Sequence, residues 1–122
     1  MKRKFMFLLF TDEQCRLNHA FMYAIDMRKK GYEVRIIIEG PSTQCLGRLA
    51  EGGKFPGLFR EAHSLGLIAG ACKTASGGCS TGKKDRNVAD IAGESGVKML
   101  ADLDGHAGIE TFVNEGYEIM VF

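Results

Sequence analysis

Apolar positions are unevenly spread along the chain, in five short dense runs at residues 5–10, 32–39, 67–71, 97–100 and 117–122. Each run is too short for a helix of its own, and continuous bulk of this kind suits a strand covered on both faces. Between the runs the spacing turns helical. Leu17, Phe21, Ala24 and Ile25 share one helix face, and Thr11-x-x-Gln14 before them fits a capping box, with Gly31 as the stop. Ser42 or Thr43 can start a short helix carrying Cys45, Leu46 and Leu49. A turn-rich stretch at 52–57 then leads to a helix with Leu58, Ala62 and Leu65 on one side, ending near Gly66. Asp85 or Asn87 opens the next helix, through Val88, Ile91 and Ala92, which stops at 93–96. Asp104 is expected to cap a last helix from about 105 to 115, with Ile109, Phe112 and Val113 turned inward and Gly116 closing it.

Strands that alternate with helices need right-handed crossovers. The pattern therefore predicts an α/β fold with three layers, α/β/α, around a mostly parallel five-stranded sheet. A chain of 122 residues with 45% hydrophobic content fills one such domain, residues 1–122, with no linker required.

Charge adds little. A net charge of +1 gives no reason to expect nucleic acid or an anionic membrane as partner. Lys2, Arg3 and Lys4 ahead of an apolar run imitate a secretory signal. That run stops after residue 10, too soon for a signal core or a membrane span, so the chain is expected to be cytoplasmic. Cys15, Cys45, Cys72 and Cys79 contain no C-x-x-C pair, which favours reduced thiols over a disulfide framework. His19, His63 and His106 match no zinc spacing, and neither a metal nor an organic cofactor is expected.

The candidate chemistry gathers at residues 67–84, LIAGACKTASGGCSTGKK. Cys72 falls at the carboxyl end of the third strand, the edge of an open α/β sheet where ligands and reactive groups collect. Lys73 and a following loop or helix start would favour its thiolate. Cys79 is a possible second, resolving thiol. Residues 77–84 nearly spell a phosphate-binding loop, but Lys84 stands where a hydroxyl residue should hold magnesium, leaving a basic loop able to attract an anion. His106, between Gly105 and Ala107, is placed in the first turn of the last helix, where it could donate to a sulfur or bind an anion. Cys15 falls in the first turn of its helix on the same sheet edge as Cys72 and reads as a packed residue rather than a second functional thiol, Cys45 as core and His63 as a surface or hydrogen-bonded side chain.

Taken together, the opening strand KFMFLLFTDE, the segments RKKGYEV and RIIIEG, the stretch EAHSLGLIAGACKTASGG and the ending ETFVNEGYEIMVF resemble the DsrE/DsrF-like family, with its flavodoxin- or Rossmann-like architecture. Its sulfur-relay subunits carry sulfur as a persulfide on a strand-end cysteine, and Cys72 matches that position. Those subunits continue with small residues and Arg-Arg-Gly, where this chain has Ala75, Ser76 and Gly77. The resemblance implies a sulfur carrier or sulfurtransferase, working with a sulfur donor or acceptor protein and assembled as a homo-oligomer, a trimer or hexamer. Two other readings compete: a module that binds a small anion or nucleotide at the sheet edge, and a thiol redox protein using Cys72 and Cys79.

Overall fold

The protein, seen as a computed structural model, is described at residues 3–78 and 88–122. Five strands form one sheet: β1 (Lys4–Leu9), β2 (Glu33–Ile38), β3 (Ile68–Cys72), β4 (Met99–Leu100) and β5 (Glu118–Val121). Their order is β4-β3-β2-β1-β5 and every pairing is parallel, as the alternation of apolar runs and helical segments requires.

Among the described residues there are also five α-helices: α1 (Gln14–Lys29), α2 (Lys54–Ser64), α3 (Lys73–Gly78), α4 (Val88–Glu94) and α5 (Glu110–Asn114). A 3-10 helix, Gly40–Arg48, follows β2. The two faces of the sheet differ in thickness. Phe5, Phe7 and Leu9 of β1 with Val34, Ile36 and Ile38 of β2 face a large cluster that takes in Leu17, Phe21, Phe55, Phe59 and Ala92 from α1, α2 and α4. Met6, Leu8 and Ile37 face the other way into a smaller cluster, closed by Ala75, Ala107 and Tyr117 with Ile109 and Phe112 at its margin. This division follows from handedness. The chain steps outward from β1 to β4 with α1, α2 and α4 packed on one face, then returns to β5 with α5 on the other, where Ala75 of α3 also reaches.

Several boundaries move for local reasons. Thr11 does not begin α1. Its hydroxyl accepts from the backbone N–H of Glu13, and Glu13 is the cap, its carboxylate accepting from the N–H groups of Cys15 and Arg16. α2 starts at Lys54, inside the expected turn-rich stretch, because Pro56 in the first turn costs no helical hydrogen bond. The largest departure is at Asp104, which caps nothing. Asp104 and Gly105 have positive φ, +47° and +88°, and Leu103 and His106 exchange both backbone hydrogen bonds at 2.8 Å. Asp-Gly is the preferred pair for such a two-residue hairpin turn, and here that preference overrides helix capping. α5 accordingly begins only at Glu110, and Val113, expected inward, is 53% exposed.

Among the described residues, no helix is long and apolar enough to cross a membrane.

Candidate functional site

Cys72 is the last residue of β3, and which face it occupies is decided two residues earlier. β2 and β3 pair Ile36 with Ile68, but then Ile37 with Gly70 and Ile38 with Ala71, so β3 carries one extra residue at this point. A bulge of this kind reverses the alternation beyond it. Ile68 and Ala71 therefore both meet the large cluster, whereas Ala69 and Cys72 meet the small one. Gly70 permits the bulge. A Cβ there would lie 2.5 Å from the Lys98 carbonyl oxygen and 2.7 Å from Leu100 Cγ.

The sulfur is enclosed rather than open to solvent at the rim of the sheet. Cys72 is 1% exposed, among Met6, Leu8, Ile37, Ala75 and Ala107. Among the described residues, His106 is the polar side chain that reaches it, with Nδ1 3.5 Å from Cys72 Sγ. His106 is itself exposed, so the imidazole stands between the thiol and water. It sits at the end of the Leu103–His106 hairpin and not in a helical first turn. Thr74, two residues beyond Cys72, holds that hairpin in place. Its N–H and hydroxyl both donate to the Gly105 carbonyl, at 3.0 and 2.7 Å. Asp102 Oδ1 accepts from the Gly108 N–H at 2.9 Å and fixes the other side.

A third group enters from β2. Since Ile38 pairs with Ala71, Glu39 follows alongside Cys72 at the same sheet edge. Glu39 is 9% exposed, and burial raises its pKa above the usual carboxylate range, with the nearby His106 pulling it down and Asp102 pushing it up. Thiol, imidazole and carboxyl thus come from β3, the turn after β4, and the end of β2. The hydroxyls of Ser42 and Ser76 are also buried, with no hydrogen-bond partner among the described residues. Glu39 is not among the sequence candidates, although an acidic residue closing the apolar run Ile36-Ile37-Ile38 before Gly-Pro is a detectable signal.

The remaining candidates separate. Lys73 is exposed at the start of α3. Cys79 and the stretch that resembles a phosphate-binding loop, from Cys79 onward, lie outside the described residues. Cys45 is core, as expected, and burial pushes its thiol up to about 12. His63 is exposed, with Nε2 3.4 Å from the Gly96 carbonyl oxygen. Cys15 corrects its expectation: it is exposed on α1 rather than packed. Among the described residues, no three His, Cys, Asp or Glu side chains gather as a metal site.

No family model matches the chain, and no solved structure does. The chain is 38% identical over 52 residues to an uncharacterized protein of Archaeoglobus fulgidus, an alignment spanning 43% of this chain and 85% of that protein.

Proposed function

We propose, for a chain that belongs to one family with that uncharacterized Archaeoglobus fulgidus protein, that Cys72 carries sulfane sulfur as a persulfide with His106 as its proton partner. The observation behind this reading is the 3.5 Å contact between Cys72 Sγ and His106 Nδ1 at the carboxyl end of a parallel strand. With its proton on Nε2, the imidazole offers Nδ1 to take the thiol proton. The thiolate attacks the outer sulfur of a donor persulfide, R–S–SH. The donor's S–S bond breaks, Cys72–S–SH forms, and the departing R–S⁻ takes the proton from His106. Attack by an acceptor thiolate on the outer sulfur reverses the step.

Enclosure suits a carrier, because a persulfide shielded from water and stray thiols survives until its partner arrives. The Leu103–His106 hairpin is the cover that must move, and a docking protein is its natural opener. In this reading the donor and acceptor are proteins and the setting is the cytoplasm. The chain works as a homo-oligomer, a trimer or hexamer. Exposed apolar side chains at Val113 and Met120, on α5 and the edge strand β5, support such assembly.

The test is direct. The protein is incubated with a persulfide donor and weighed intact. A gain of one sulfur that is absent in Cys72→Ser and slowed about tenfold or more in His106→Ala is expected. No gain, or an equal gain in Cys72→Ser, refutes the carrier. Anion binding without sulfur loading would favour the binding-module reading, and a Cys72–Cys79 disulfide as the sole product the redox reading.

A further inference from the structure

The strand order reverses around β1: the chain moves outward through β2, β3 and β4, then places β5 on the opposite side of β1. In an open parallel sheet the crevice beyond the carboxyl ends of the strands at such a reversal is where ligands bind. Cys72 is not there. The residues that are there belong to α1 and to the chain just beyond β5.

Cys15, His19 and Tyr23 lie at successive four-residue steps of α1, hence on one face. Cys15 Sγ is 3.6 Å from His19 Nδ1, which is also 2.8 Å from the Cys15 carbonyl oxygen. The His19 and Tyr23 rings meet edge to face, with centroids 5.9 Å apart. These side chains, with Arg16, Val121 and Phe122, line an open groove of about 400 Å³, large enough to seat a small organic molecule. Glu13 also borders it; its carboxylate stays ionised, but the N–H groups of Cys15 and Arg16 hold it at the positive start of α1, which offsets its charge. Recognition therefore falls to the Arg16 guanidinium and an apolar wall.

We infer that Cys15 and His19 form a second thiol site, at the β1/β5 reversal, that exchanges with small anionic disulfides carrying an apolar or aromatic body. Hydrogen on His19 Nδ1, directed at the Cys15 carbonyl, also lies beside Sγ and steadies the thiolate as it forms. The thiolate attacks one sulfur of R–S–S–R, whose S–S bond breaks. Cys15–S–S–R forms, R–S⁻ leaves with the electron pair, and the cysteine proton passes to solvent. Arg16 holds the anionic group, and Tyr23 with Val121 and Phe122 covers the apolar body. This site stands independently of the chemistry at Cys72.

The probe is 5,5′-dithiobis(2-nitrobenzoic acid), a dianionic aromatic disulfide, with dicationic cystamine as the contrast. The full chain is reacted with each in the native state at neutral pH, and the labelled residue is located by peptide mass. Cys15 is expected to be labelled first by the aromatic reagent. Arg16→Gln should slow that labelling about fivefold without slowing cystamine, and His19→Phe should slow both, with the melting temperature as a check on folding. First labelling at another cysteine overturns the site. So does a rate within twofold of wild type in both variants.

Discussion

At the end of the strand next to Cys72, Glu39 is a carboxyl group kept from water, and burial makes its charge unwelcome. Its folded-state pKa is raised, so the native protein holds this proton more tightly than the unfolded chain does. Stability from this residue is therefore greatest below the unfolded carboxylate value of about 4.3 and falls as the pH rises through the raised one. Glu39→Gln should remove that loss. Denaturant melts should place the variant close to wild type in acid and above it at neutral pH; the reverse order would show that the ionised carboxylate is net stabilising. Cys45 is the counterpart among the thiols. With its ionisation pushed up to about 12, it should resist alkylation in the native state and react only on unfolding, as pulse labelling across a denaturant series would reveal. Of these residues, Cys45 was legible in the sequence because it shares an apolar pattern with Leu46 and Leu49, and the strand-end position of Cys72 because it closes an apolar run. Glu39 was not, because its meaning depends on the strand beside it.

Two short backbone devices assemble the site, and each rests on a glycine that must stay one. At Gly70 a methyl group would drive into the Lys98 carbonyl and Leu100, so the bulge must shift. Gly70→Ala should cost about 1–3 kcal/mol by overpacking. It should also disturb the aim of Cys72, seen as lost sulfur loading in protein that still folds. At Gly105 the constraint is conformational. An alanine with φ near +88° costs about 1–2 kcal/mol, and its Cβ would lie 2.9 Å from Thr74 Oγ1, the group that pins the hairpin. Gly105→Ala should speed alkylation of Cys72 by loosening its cover, while a rate no faster than wild type would count against the hairpin as a lid. The sequence pattern predicts a helix across this turn. Asp before a short apolar pattern is a good cap signal, but Asp-Gly is an equally good hairpin signal, and the choice fell to the Thr74 contact from a distant segment.

Across the whole molecule, stability is concentrated where the layers are thickest. β1 and β2 lie at the centre of the sheet, and Phe21 packs at 5.2 Å and 6.0 Å against Phe55 and Phe59 in the large cluster. Phe21→Ala should cost about 3–5 kcal/mol. Hydrogen exchange should be slowest in β1 and β2 and fastest at the two-residue strand β4 and the α5 side. Uniform protection over the sheet would contradict this gradient. A small cluster over Cys72 and a large one behind it set the two faces of the sheet apart.

The sequence by itself determined the alternation of strands and helices, the parallel sheet that this forces, the large core, and the placing of Cys72 at a strand end. These are consequences of local periodicity, which each segment carries on its own. Only the tertiary structure decided that Cys72 turns to the thinner face and is enclosed, that His106 reaches it across 34 positions, that Glu39 stands alongside, and that Cys15 is open. Those outcomes depend on one extra residue in a strand register and on a turn chosen by its neighbours. Such facts belong to pairs of distant segments and leave no periodic trace in either one.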